Sequence, residues 1–275
     1  MMFFRRILTY RLALYYLSAI MLAALALSAL GIVHQSAVNL AFSACVTLSV
    51  CLAVNWAFAR AFRATSNLES VAISALIIAL IITPIAPTDL GGDAFLVLVS
   101  AWAMASKYMV AIGKRHLFNP AAFGAALIGI GLHRTVSWWV GDYPLLLPVV
   151  VLGGALMLTR LRYTGMVAAY ALVVLGISIA YGDPSSLSGV ERSLSMMGIH
   201  SMFGFFGLVM LTEPRTVPPG RWRQIAYGAV VGLLFSPYTH IGSYYFTPEV
   251  AILCGNFLAF FLNRRRIQRL AEAFA

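Results

Sequence analysis

The chain has 275 residues, 61% of them apolar and 10% charged, with a mean hydropathy of +0.88; soluble domains carry about 45–50% and about 25%. A soluble fold is excluded, and so is a soluble domain on one anchor, because no long polar block interrupts the apolar sequence. The net charge of +10, from 19 basic and 9 acidic residues, fits either nucleic-acid binding or a membrane protein with basic cytoplasmic loops, and charge placement decides between them.

Arg5, Arg6 and Arg11 lead into an apolar run of about 20 residues, too long for a signal peptide and read as an uncleaved first helix. Apolar windows between charge and Pro/Gly breaks predict helices over 12–33, 37–59, 70–86, 94–112 and 120–132. A second set is expected over 143–159, 164–182, 197–212, 224–238 and 249–263. The expectation is an all-α polytopic membrane protein of about ten transmembrane helices, some short or broken, in one membrane domain. Its first repeat covers about 7–133, its second about 134–265, and a basic tail 264–275.

With the N-terminus inside, sixteen cations fall on one side: Arg5, Arg6, Arg11, Arg60, Arg63, Lys114, Arg115, Arg160, Arg162, Arg215, Arg221, Arg223, Arg264, Arg265, Arg266 and Arg269. The other side holds Arg134 and Arg192 with Asp89, Asp93, Asp142, Asp183, Glu191 and Glu249; Lys107 falls within a span. The positive-inside rule then predicts both termini in the cytoplasm and explains the basic charge without nucleic acid.

The halves match at one offset. Ile112-Gly113 corresponds to Ile241-Gly242 (241 − 112 = 129), Thr83-Pro84 to Thr212-Glu213-Pro214 (212 − 83 = 129), and Phe118-Asn119-Pro120 to Phe246-Thr247-Pro248 (248 − 120 = 128). Five spans per half make this an inverted-topology repeat, with the second copy upside down in the bilayer. Prolines at these points stop the third and eighth helices and start the fifth and tenth, so helix ends lie inside protein, and free N–H groups at helix starts can hold electron-rich groups.

Gly113-Lys114-Arg115-His116-Leu117-Phe118-Asn119-Pro120-Ala121-Ala122 resembles the Lys/His-rich turn and Phe-Asn-Pro-Ala motif of one membrane redox family. That family comprises the related flavin-carrying membrane subunits of the Rnf electron-transport complexes and of the sodium-translocating NADH:quinone oxidoreductases. The resemblance covers about 66–263, through Ser66-Asn67-Leu68-Glu69-Ser70, Leu211-Thr212-Glu213-Pro214-Arg215-Thr216-Val217-Pro218, Gly220-Arg221, Tyr227-Gly228 and Glu249-Val250-Ala251-Ile252-Leu253 with Asn256. It implies a flavin-carrying subunit of the bacterial inner membrane that passes electrons between membrane or peripheral partners, a flavoprotein or iron–sulfur protein, with quinone as an acceptor and cation movement as a coupled process. The family's Ser-Gly-Ala-Thr flavin-attachment motif is absent; Ser188-Gly189 continues into Val190-Glu191. The implied flavin, riboflavin or FMN, is therefore expected to be non-covalent.

The expected cofactor-binding residues are Lys107, Lys114, Phe118, Asn119, Thr212, Phe246, Thr247 and Asn256. Lys107 either faces an electron-rich ligand or snorkels to the cytoplasmic surface. Asn119 and Thr247 either cap their helices or meet the ligand. Glu213 is expected to pair with Arg215 or Arg221 at the surface, and Asn256 to bond across helices or to a ligand. Phe118 and Phe246 are expected to stack on a ring or quinone, and most other aromatics, Trp138 and Trp139 among them, to form interfacial belts. The five histidines lie at different depths and the three cysteines have no cluster spacing, which disfavours haem, zinc and iron–sulfur. A secondary transporter or channel stays open as the alternative, since inverted repeats also build midplane solute sites. A fluorescent-protein fusion after Ala275 is expected to glow and an alkaline-phosphatase fusion near Asp142 to be active; the reverse pattern would refute the predicted topology.

Overall fold

The computed structural model describes residues 2–112, 115–181 and 202–263. The first half contains α1 (Met2–Ala29), α2 (Ala37–Ala61), α3 (Leu68–Ile81), α4 (Leu90–Met109), a hairpin of β1 (Ala111–Ile112) and β2 (Arg115–His116), and α5 (Pro120–Gly131). Two 3₁₀ turns, Trp139–Asp142 and Pro144–Leu146, lead into α6 (Leu147–Leu161) and α7 (Thr164–Tyr181). There follow α8 (Met202–Phe205), which widens into a π turn at Phe206–Met210, then α9 (Arg221–Phe235), a hairpin of β3 (His240–Ile241) and β4 (Tyr244–Tyr245), and α10 (Pro248–Phe261).

Four segments, Thr9–Ala29, Ala37–Ala61, Pro144–Leu161 and Thr164–Tyr181, are long and apolar enough to cross a membrane. Each turns large apolar side chains outward: Leu22 is 65% exposed, Trp56 67%, Leu152 72% and Leu172 68%. Large apolar side chains turned outward on every one of the long helices are what a lipid-facing surface requires and a water-facing one avoids. The build is that of an all-α membrane protein.

The order of elements repeats. The first hairpin pairs Ala111 with His116 and Ile112 with Arg115; the second pairs His240 with Tyr245 and Ile241 with Tyr244. Every partner is shifted by 129, the offset of the sequence motifs. The helix before each hairpin packs on a long outer helix, α4 on α2 and α9 on α7, and the helix after the hairpin packs back on the helix before it, α5 on α4 and α10 on α9. The sequence reading describes the segment before Asn119 only as a Lys/His-rich turn; that segment and the one before Thr247 are both hairpins.

Inside this shell lie short helices. α3 and α10 have 14 residues and α5 has 12, about 18–21 Å at ~1.5 Å per residue, against a hydrocarbon core of about 30 Å. From Ala75 to its end α3 is apolar on every side and buried at Ile78, Leu80 and Ile81, as a helix enclosed by others must be. It ends at Ile81 rather than at the expected 86. Thr83 precedes Pro84, which disfavours helical backbone there, and Ile82 is already extended at ψ 132°.

The freed carbonyls at the end of α3 are taken by the Ser137–Trp139 segment. The Trp138 N–H donates to the Ile81 carbonyl at 2.8 Å, the Trp139 indole to Ala79 at 3.0 Å, and Ser137 Oγ to Ile81 at 3.2 Å. Trp138 and Trp139 are therefore core residues, 2% and 1% exposed, not the interfacial belt expected from sequence. Of the helix expected over 197–212, residues 197–201 lie outside the described residues, as do Lys114 and the tail from 264.

Gly124 lets α5 touch α4: a Cβ there would lie 2.3 Å from the Val99 carbonyl oxygen and 2.9 Å from the Ala103 nitrogen. Both obstacles are backbone and cannot swing aside. Gly124→Val is expected to cost about 1–3 kcal/mol by overpacking and to lower the detergent melting temperature by several degrees. Gly176→Ala, with open space around it, is the control, and equal melting of both variants would contradict this packing.

Candidate functional site

Asn119 is at the start of α5 for a local reason. Pro120 occupies the first helical position, where a missing N–H costs nothing, and the Asn119 side-chain oxygen accepts from the Ala122 N–H at 3.1 Å. Its own backbone N–H has no partner within the helix. That N–H donates to Asn256 Oδ1 of α10 at 2.7 Å, and Asn256 Nδ2 donates to the Tyr227 hydroxyl of α9 at 2.9 Å. Asn119, Tyr227 and Asn256 are all buried. The start of α5 is thus bonded to a residue of α10 and, through it, to one of α9.

Thr212 and Glu213 reach the same place from the end of the π turn. Thr212 Oγ1 donates back to the Leu208 carbonyl at 2.8 Å, closing a ladder that Pro214 cannot continue. Glu213 Oε1 accepts from His116 Nε2 at 2.8 Å, so its partner is the β2 histidine and not Arg215 or Arg221 as expected. Arg215 instead lies over the Tyr10 ring, 5.8 Å from its centroid.

These groups wall a narrow crevice between α1, α3, the start of α5 and the end of α8, with a cavity volume of about 60 Å³. That is smaller than ligand pockets of ~300–1,000 Å³, so only the edge of a larger molecule enters it as it stands. Its apolar walls are Leu17, Ile77, Met157 and Leu208; its polar groups include Asn119, Thr212 and Glu213. Two of these have bonding capacity left over. Among the described residues, Glu213 Oε2 is buried with no hydrogen-bond partner, and the Asn119 side-chain amide contacts only the Met210 sulfur at 3.9 Å. A buried polar atom without a partner is costly. Here an orphan acceptor and an underused donor line one slot.

The other expected residues are placed as follows. Lys107 does not line the crevice; it donates to the Ser70 carbonyl at 2.8 Å and to its hydroxyl at 3.2 Å. Phe118 stacks on Phe123, rings 5.8 Å apart and 24° from parallel. Phe246 meets Tyr244 edge-on at 5.7 Å. Thr247 caps α10 through the Val250 N–H at 3.4 Å. The structure therefore joins Asn119, Thr212 and Asn256 and leaves Lys107, Phe118, Phe246 and Thr247 elsewhere. Sequence reasoning did not assign His116 or Tyr227 to the site; the only signal was their neighbourhood to Asn119 and Thr212 in the resemblance motifs.

At the opposite end, Glu249 in the first turn of α10 is buried and accepts from the Trp138 indole at 2.5 Å. Its counterpart in the first repeat is Ala121, so the two half-helix starts are chemically unlike. Comparison with known protein families and with curated protein sequences finds no match.

Burial disfavours the charged imidazole of His116, and Glu213 opposes that only in part, so the His116 pKa lies below the ordinary histidine value. The unfolded chain then takes up a proton near pH ~6.5 that the folded chain resists. Stability is expected to hold at neutral pH and to fall as pH drops from about 6.5 through the folded value. His116→Gln, which keeps an N–H donor, should flatten that slope. A wild-type melting temperature that does not change between about pH 7 and about pH 5 would rule this out.

Proposed function

We propose that this chain is an integral membrane subunit of a flavin-dependent electron-transport complex, with its flavin held non-covalently in the crevice of Asn119, Thr212 and Glu213. One observation carries the reading: an unpartnered buried acceptor, Glu213 Oε2, and an underused donor, the Asn119 amide, share a slot with apolar walls. An isoalloxazine edge presents a ring N–H flanked by carbonyls, which is complementary to that pair. Bound flavin supplies reversible electron uptake, and the protein supplies position and electrostatics. Asn119 would donate to a ring carbonyl and Glu213 would accept the ring N–H, with the walls at Leu17, Ile77 and Leu208 parting to admit the ring edge, since the crevice as it stands holds about 60 Å³.

The reading extends to ten spans in two inverted five-helix repeats, with both termini cytoplasmic. Its support is the meeting of the start of α5 with Asn256, more than two turns into α10, while the start of α10 meets Trp138, beyond the end of α5. The start of α5 lies beside the far part of α10 and the start of α10 beside the segment that follows α5, the kind of crossed contact that a two-fold in the bilayer plane would produce. On that topology the crevice opens to the cytoplasm, where a flavoprotein or iron–sulfur partner would exchange electrons with it, and a quinone would approach from the lipid.

Protein purified in mild detergent is expected to show a flavin absorption band that dithionite bleaches. Acid precipitation should leave the colour in the supernatant, and Asn119→Ala should lower flavin occupancy several-fold. A colourless wild-type protein that moves a solute in liposomes would overturn the proposal in favour of a transporter; colour fixed in the pellet would overturn non-covalent binding.

A further inference from the structure

The walls of the crevice differ in what holds them. The start of α5 is tied to α10 through the Asn119 N–H and Asn256, the end of α3 to the Trp138 N–H through the Ile81 carbonyl, and the end of α8 to β2 through Glu213 and His116. Moving any of these orphans a backbone group or breaks a tertiary bond, which is costly in an apolar body. α1 is different. It is one continuous helix of 28 residues, and along the crevice its backbone groups bond within the helix, so it can tilt without exposing one. It lines the crevice with Thr9, Ala13 and Leu17, α3 lines it with Ser70, Ser74 and Ile77, and the two helices pack on each other.

Two side chains set how α1 sits. The Tyr16 hydroxyl donates to the Val150 carbonyl of α6 at 2.6 Å, and its ring lies against Gly153, where any Cβ would collide with it; α1 is thereby keyed to α6. On the α3 side, Arg11 Nε meets Glu69 Oε1 at 2.9 Å, with the two side chains 58% and 28% exposed. Their chain neighbours Tyr10 and Ser70 both line the crevice, so the ion pair spans the seam between α1 and α3 at the crevice rim.

We propose that α1 is the gate of the crevice and that the Arg11–Glu69 ion pair is its latch. With the pair broken, α1 stays keyed to α6 by Tyr16 and rolls off α3, and the seam that Ala13 and Leu17 make with Ser74 and Ile77 opens to admit a molecule larger than the closed crevice holds. An exposed ion pair is a weak tie, which suits a gate that must open: it biases the closed state by a small factor and loosens as salt rises. The gate stands independently of which molecule the crevice takes.

The test reads how often the crevice opens. In the full chain with its three native cysteines replaced by serine, Ser74→Cys puts one thiol on the crevice wall, and a dye-linked maleimide too large for about 60 Å³ reaches it only in the open state. The labelling rate in detergent then follows the open fraction. Arg11→Gln and Glu69→Gln are each expected to raise that rate about two- to fivefold. The charge swap, Arg11→Glu with Glu69→Arg, should return it towards the parent rate, and added salt should speed the parent and not Arg11→Gln. Arg60→Gln, which removes a cation that does not line the crevice, should leave the rate unchanged. Should Ser74→Cys fail to fold, Ala13→Cys reports from the α1 wall. Equal rates in the parent and both single variants, or a swap that labels as fast as they do, overturn the proposal. The readout needs no bound flavin, so a colourless protein with a latch-dependent rate refutes the flavin assignment alone, and a flavin-binding protein with a latch-independent rate refutes the gate alone.

Discussion

Helices that stop inside an apolar body leave backbone groups that water cannot reach. In lipid every N–H and C=O must be satisfied within the protein, and each helix end presents four of them. Here α3, α5, α8 and α10 all have at least one end in the interior, and the architecture around those ends follows from that requirement. The Asn119 N–H finds Asn256, the Ile81 carbonyl finds Trp138 and Ser137, and the Leu208 carbonyl finds Thr212. The first two solutions bring side chains or backbone from distant parts of the chain, so the caps also fix how the halves sit together.

Satisfying helix ends concentrates polar atoms, and a concentration of polar atoms in an apolar body is what a small-molecule site needs. Most of the groups at the start of α5 are fully paired. Among the described residues, Glu213 Oε2 and, more weakly, the Asn119 amide are the exceptions, and both adjoin an open slot. Structural need accounts for the other polar atoms there; the unpaired oxygen is the part it does not account for, and for that reason it bears most of the functional argument.

The repeat is not symmetric in chemistry. The first half-helix begins with Asn119 bonded into α10, while the second begins with Thr247, a weaker cap at 3.4 Å, followed by Glu249 buried against Trp138. A hairpin followed by a proline-started helix occurs in both halves with different side chains. One end has an acceptor left over beside a crevice and cations around it; at the other, the Glu249 carboxylate is engaged by an indole.

The apolar windows and proline breaks in the sequence were sufficient to place all the described helices to within a few residues at most ends, because chain-local rules act there: lipid-scale apolar length, Pro at helix starts, and the Asn119 and Thr247 caps. The constant offset of the motifs likewise marked the two hairpins as equivalent positions, although their strand pairing was not legible from two residues each. What only the tertiary structure decided is which groups meet. Glu213 took His116, 97 residues away, in preference to the arginines nearer along the chain, Asn256 took the N–H of Asn119 from 137 residues away, and two tryptophans that read as interfacial closed the end of α3. Those choices depend on which orphaned helix ends come within hydrogen-bond reach after packing, and neither hydropathy nor spacing along the chain contains that distance.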